Sequence, residues 1–287
     1  MRWFTIFCLS VFSLFSSSFV TVQFNGQLGN NLFEAAAAHA LAWDHQAECY
    51  FLPLEPKEVM EHVFFRCKFQ SSLPVHAIWK EPALSYRPIP FVPNLLLVGY
   101  FQSEKYFAHH RARILELFTP RADDLEYMHQ RYRWLIDHPN TVGIQVRYYQ
   151  GEDPSGVIYP QYGKDYFSKA MALFSESALF VVSSNNLAFA RSQIPAAGKN
   201  VVFLENEPPY IDLFLLSFCK HNIISNSSFG WWAAWLNQNP EKTVVCPQIL
   251  FHGLPTQDYC PAEWLRIDAL PLFGTPGNVR NTVEKRN

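Results

Sequence analysis

Asn226, Ser227, Ser228 and Phe229 stand between a short apolar run, His221 to Ser225, and a segment from Phe229 to Asn237 with the spacing of a helix stopped before Pro240. A helix that starts behind hydroxyl side chains offers free backbone N–H groups and the positive end of its macrodipole, which together suit a phosphate. The same serines also suit plain helix capping, so the segment alone supports either role. A second candidate is Arg147, at the end of the apolar run Val142-Gly-Ile-Gln-Val146. A strand there would present an always-charged, fork-shaped guanidinium able to grip two oxygens of one anion. The alternative is an ordinary cation at a surface strand end. A third group is Asn25, Gly26 and Asn30, in a glycine-bearing turn. Gly26 and Gly29 are spaced G-x-x-G, looser than the dinucleotide fingerprint, so no Rossmann cofactor site is indicated; glycines that merely turn the chain are the simpler account.

The elements that must hold these groups follow a regular rhythm. Phe19 to Phe24 alternates like a strand, Asn25 to Asn30 turns, and Leu32 to Trp43 is an alanine-rich helix. Glu48 to Pro53 predicts a strand, Pro53 to Pro93 is loop-rich, and Leu95 to Gly99 is a short apolar strand. Ser103 to Phe118 and Asp123 to Asp137 have helical spacing, and His138-Pro139-Asn140 makes a turn. Beyond it, apolar runs at Thr141 to Arg147, Ala178 to Ser183, Asn200 to Leu204, Asn222 to Ser225 and Thr243 to Cys246 alternate with helical segments. That alternation predicts a parallel α/β sheet, with ligands at the carboxyl ends of its strands. The expected organisation is a hydrophobic segment over residues 1–18, one unit over 19–138, a second over 139–273, and a polar tail over 274–287.

A chain of 287 residues, 49% hydrophobic and 17% charged, has the composition of a well-cored globular protein. Its formal net charge of -2 gives no global basis for nucleic-acid binding. Aromatics at 16% suit stacking on sugars or a base, and equally suit core packing. The six cysteines form no C-x-x-C pair and read as reduced thiols. Residues 1–18 form an apolar, serine-rich run shorter than the roughly 20 residues of a membrane span. They predict loose membrane association, or a soluble protein after their removal.

Several stretches together resemble one family. Asn222-Ile-Ile-Ser-Asn-Ser-Ser-Phe-Gly-Trp-Trp-Ala-Ala-Trp-Leu-Asn237 is similar to the C-terminal signature of the α-1,2-fucosyltransferases of glycosyltransferase family 11, and the strand Lys242 to Pro247 follows as it does there. Phe24-Asn-Gly-Gln-Leu-Gly-Asn-Asn-Leu-Phe33 resembles the family's opening F-x-G-G-L-G-N-Q-M-F. Gly99 to Phe107 resembles its middle block, and Asp258 to Trp264 lies near its end. The resemblance implies two Rossmann-like domains facing a cleft, an α/β fold of GT-B type. The first would be the acceptor-side unit and the second would bind the nucleotide sugar. It further implies L-fucose transfer from GDP-fucose to the 2-hydroxyl of a galactose-terminated glycan, with inversion. No cofactor is implied beyond the donor substrate.

No metal is expected in that reaction, because the D-x-D triplet is missing; Glu205-Asn-Glu207 is nearest and reads as a loop cap. Arg147 and helix starts would supply the positive charge instead. Donor contacts implied by the resemblance are Asn25, Gly26, Asn30, Gln145, Arg147, Asn185, Asn226, Ser227, Ser228 and Phe229. The family's H-x-R-R-x-D falls on Gln145, Val146, Arg147, Tyr148, Tyr149 and Gln150, so only its first arginine persists. Three readings follow: an active enzyme that uses Glu152 or Asp153 beside Arg147, one with a different nucleotide-sugar donor or acceptor, or a non-catalytic binding homologue. A second departure is Val181-Val-Ser-Ser-Asn-Asn186 where the family has F-S-D-D; Asn185 would then offer only a neutral oxygen to guanine. Glu34, near the opening block, is a further candidate base, and His39 reads as a packed histidine.

Overall fold

The computed structural model describes residues 18–149 and 158–272. The first half comprises β1 (Phe19–Val22), α1 (Leu28–Asp44), β2 (Glu48–Phe51), α2 (Lys57–His62), β3 (Lys68–Phe69), β4 (Ala77–Lys80) and β5 (Leu95–Val98). Two 3-10 turns, Glu104–Tyr106 and Ala108–His110, lead into α3 (Arg111–Leu117) and α4 (Ala122–Ile136). The second half comprises β6 (Thr141–Val146), α5 (Lys164–Met171), β7 (Leu179–Ser184), α6 (Leu187–Gln193), β8 (Asn200–Phe203) and α7 (Pro209–Phe218), then β9 (His221–Ile224), α8 (Ser228–Leu236), β10 (Val244–Pro247) and β11 (Leu265–Ile267).

Each half carries one parallel sheet. The first runs β3-β2-β1-β5-β4 and the second β11-β10-β9-β6-β7-β8. Counted from β6, the second order is the doubly wound 3-2-1-4-5-6, whose ligand crevice opens where the order reverses, between β6 and β9. Arg147 and Ser225 follow those two strands. In the first sheet β1 and β5 are neighbours, so the loops beginning after Val22 and after Val98 share one edge of that crevice.

Burial accounts for the central elements. All six residues of β6 are buried between β7 and β9, which is why it reads as a continuous apolar run. Helix α8 is apolar on every side, with Trp231, Trp232 and Trp235 at most 2% exposed, because it lies against α7, β9 and α1 together. Phe33 of α1 meets Trp231 at 4.4 Å, and Phe107 stacks on Trp232 at 5.3 Å, so one aromatic seam joins the two halves.

Several elements differ from the sequence expectations. Helix α1 begins at Leu28, which puts Gly29 and Asn30 in its first turn rather than in the preceding loop. Ser103 to Phe118 is two 3-10 turns and a short α3 rather than one helix, bent so that Phe107 reaches the tryptophans. The stretch expected as loop holds α2, β3 and β4. The free cysteines among the described residues are Cys49, Cys67, Cys219, Cys246 and Cys260. No helix among them is long and apolar enough to cross a membrane. The hydrophobic segment up to residue 17 and the polar tail lie outside the described residues.

Candidate active site

Two helix starts meet at the crevice. Ser227 precedes α8 in extended conformation but makes no side-chain cap, and Gln27 precedes α1 likewise without one. The serines of the second start are spent elsewhere. Ser225 donates to the Gln145 Oε1 at 2.6 Å and accepts from the Arg147 N–H at 3.1 Å, while Ser228 donates to the Asn30 Oδ1 at 2.7 Å. The capping alternative therefore fails at Ser227, and among the described residues the first-turn N–H groups of α8 gain no side-chain acceptor.

Gly29 explains how close the two starts come. A β-carbon on it would lie 2.4 Å from the Phe229 backbone nitrogen and 2.6 Å from the Ser228 carbonyl carbon, so only a glycine lets α1 approach. Asn30 then ties three segments, since its Oδ1 also accepts from Gln102 Nε2 at 2.9 Å. Gly26 turns the preceding loop at φ +78°, a conformation that favours glycine.

The loop of α1 is anchored from below. Glu34 is fully buried and accepts from the Asn25 N–H at 3.1 Å and from Asn31 Nδ2 at 3.1 Å. Burial pushes its carboxyl up to about 8. Enclosed in this way, Glu34 holds the Asn25 loop. Glu81 does the same beyond β5, accepting from the Tyr100 and Phe101 N–H groups at 2.8 and 3.0 Å, where Phe101 adopts φ +51°.

Arg147 sits at the end of β6 with its guanidinium 5.1 Å from the centre of the Tyr149 ring. Gln161 fixes its backbone by donating Nε2 to the Arg147 carbonyl at 2.8 Å. Tyr149 in turn donates its hydroxyl to the Asn226 carbonyl at 2.5 Å. Asn226 is buried and donates to the Pro160 and Leu250 carbonyls, both at 3.0 Å. Gln145 is also buried, with Gly230 of α8 pressed against its side chain. Asn185 uses both ends of its amide on the backbone of Tyr148, each at 2.9 Å. Thus Asn25, Gly26, Asn30, Arg147, Ser227, Ser228 and Phe229 gather at the crevice, whereas Gln145, Asn185 and Asn226 hold the loops that shape it. Glu152 and Asp153 lie outside the described residues.

One residue escaped the sequence reading. Asp212 is in the first turn of α7, at the carboxyl end of the sheet. Its Oδ2 accepts from Ser183 at 2.6 Å, while its Oδ1 is buried without a partner among the described residues. Burial raises its carboxyl to about 6. A charged residue inside the otherwise apolar run Ile211 to Leu216 was the available signal. His39, by contrast, is buried within α1 between Trp43 and Phe51, far along the helix from its start, with burial pushing its ring down to about 3.

Comparison with known proteins places this geometry. Residues 4–267 match the family described as Glycosyl transferase family 11. The chain is similar to an α-1,2-colitosyltransferase of Escherichia coli, at 26% identity over 88% of this chain and 99% of that protein. It is similar to galactoside α-(1,2)-fucosyltransferase 2 of Oryctolagus cuniculus, at 30% identity over 87% of this chain and 77% of that protein. Its fold resembles the crystal structure of the fucosyltransferase NodZ from Bradyrhizobium, with a TM-score of 0.51 and 12% identity over 76% of this chain and 92% of that one. The fold is accordingly GT-B, with two Rossmann-like halves.

Proposed function

The chain belongs to glycosyltransferase family 11 and is a hexosyltransferase, and we propose that it transfers L-fucose from GDP-fucose to the 2-hydroxyl of a terminal galactoside. The observation that carries this reading is the meeting of two helix starts without side-chain caps, α1 and α8, beside Arg147. In such a transfer the acceptor oxygen bonds to the anomeric carbon as the bond from that carbon to the β-phosphate oxygen breaks, inverting the centre. GDP departs with the electron pair, and the hydroxyl proton must leave the acceptor. Arg147 and the helix-start N–H groups offset the charge that grows on the diphosphate, which is where fixed donors lower a barrier most. In this role the second half holds the donor nucleotide, and the first half faces the acceptor, with Asn25, Gly26 and Asn30 beside the reacting sugar of the donor. Glu152 or Asp153 would take the proton, because Glu34 is enclosed.

Asp212 takes over the part that an aspartate after β7 would play. Its second oxygen is buried, so it meets an edge with two adjacent N–H donors, such as guanine N1 and N2, only after the side chain turns outward, whereas Asn185 is engaged with Tyr148. The loss of the second arginine and of the acid in the β6 motif, together with the name of the colitosyltransferase relative, favours one second reading: a donor carrying a different sugar. The association of residues 1–18 with a membrane belongs to this proposal as well.

Calorimetric titration of GDP and GDP-fucose, with transfer to lactose assayed in the same preparation, tests the reading. Arg147→Ala should weaken GDP binding by roughly 10- to 100-fold, the worth of charge-assisted hydrogen bonds to phosphate. Folded wild-type protein that binds no guanine nucleotide would overturn the reading. Turnover with another nucleotide sugar but not GDP-fucose would move it to the second.

A further inference from the structure

Helix α1 has one end at the crevice and the other at a cluster of side chains that the transfer does not use. Asp44, its last residue, faces His109 and His110, which follow one another in the 3-10 turn Ala108–His110. His110 Nε2 lies 2.7 Å from Asp44 Oδ1, and His109 Nε2 lies 3.0 Å from Oδ2. One potential ligand atom from each of the three residues falls within 4.8 Å of the other two. The side chains are 39%, 48% and 20% exposed for Asp44, His109 and His110, so solvent can reach the cluster.

Consecutive residues of a 3-10 turn project about 120° apart, yet both imidazoles aim the same nitrogen at one carboxylate. Their rings are 4.4 Å apart. His110 is held by an edge contact with Trp43 at 5.3 Å, and Trp43 is itself covered by the Arg113 guanidinium at 3.9 Å. At least one of the three ligands is therefore fixed by packing before anything binds.

We propose that Asp44, His109 and His110 form a binding site for a borderline divalent transition cation of the zinc type, with water completing its coordination. Two imidazoles and one carboxylate are the donor set that zinc, copper and nickel prefer, whereas magnesium and calcium take oxygen ligands. Bonds of about 2.0–2.2 Å to each ligand need only small rotations that spread the three atoms from hydrogen-bonding distance. The cation replaces the histidine-to-aspartate hydrogen bonds and leaves both imidazoles neutral. A 17-residue helix is about 25 Å long, so this site is remote from the crevice and takes no part in transfer. It fastens the end of α1, the helix that presents Asn30, to the 3-10 turn Ala108–His110. Occupancy therefore shows in stability.

The test uses the full chain without an affinity tag. Zn2+ is titrated by calorimetry and Co2+ by visible absorption, for the wild type and for Asp44→Ala, His109→Ala and His110→Ala, with thermal melts of each. One equivalent of Zn2+ should bind, Co2+ should show the intense d–d bands of a low-coordinate site, and the melting point should rise with Zn2+. Each substitution should weaken binding by about 10-fold or more and abolish the Zn2+ shift in melting, while excess Mg2+ should not compete. No Zn2+ binding by the wild type would reduce the cluster to surface ion pairs and overturn the site. Binding that all three variants retain would place it elsewhere and overturn it equally. Circular dichroism of each variant separates loss of ligand from loss of fold.

Discussion

The starts of α1 and α8 are the same device built in two ways. Both follow a strand end, both lack a capping side chain, and they touch through Gly29 and Phe229. The loop before α1 is held locally, by Glu34 and Asn31 of the same helix. The loop before α8 is held by remote segments, through Gln145, Tyr149 and the carbonyls of Pro160 and Leu250. The first thus carries its own support and hydrogen-bonds without charge. The second depends on the whole sheet being assembled and has Arg147 beside it. In the proposed transfer, with a diphosphate on one side and a neutral sugar on the other, that division matches charge to charge.

Substitution at the contact breaks both starts at once and should have the largest effect. Gly29→Val drives a branched side chain into the Ser228 and Phe229 backbone, which cannot move aside without shifting α8. Transfer should fall by at least about 100-fold, because misplacement of about 1 Å is that costly; steady-state rates with saturating donor would show it. A second change touches only the α8 side. Asp212→Ala should narrow the preference for GDP over ADP by roughly 10-fold, the value of one or two hydrogen bonds to a charged group, and competitive inhibition by the two nucleotides measures it. An unchanged ratio would remove Asp212 from base recognition.

The smallest effect separates the α1 side by its pH dependence. A carboxyl raised from 4.5 to about 8 contributes stability that is complete below pH 4.5 and is lost as pH rises through about 8. Asp212 acts with the same sign over a lower window, ending near about 6. His39 acts oppositely: its neutral ring contributes fully above 6.5, and that contribution is lost as pH falls towards about 3. Between about pH 6.5 and 8 the slope from these three groups therefore belongs to Glu34. Urea midpoints should fall across that window in the wild type and stay flat in Glu34→Gln.

The sequence exposed most clearly what is buried on all sides. β6, β7, β9, β10 and α8 are apolar runs because neighbours cover both faces, so their composition alone revealed them. β3 has two residues and β4 alternates between half-buried and exposed at a sheet edge, so proline-rich surroundings masked both. The start of α1 was hidden because Gly29 and Asn30 are turn formers in isolation; only contact with α8 favours the helix there. The candidate site residues divide similarly. Arg147 and Ser228 were visible by type and place. That Asn185, Asn226 and Gln145 spend their polar atoms on loops, and that Asp212 keeps one oxygen spare, depends on partners far away in sequence.

The aromatic seam between the halves bears on how such an enzyme can change over time. Phe33 and Phe107 from the first half lodge against Trp231 and Trp232 of the second at ring separations of 4.4 to 6.2 Å. A chimaera that exchanged everything after residue 138 for another transferase's second half would meet a void or a collision along that seam. Recombination of whole halves is therefore closed to this scaffold unless α1 travels with α8. New specificities have to arise by drift at positions that leave this seam intact.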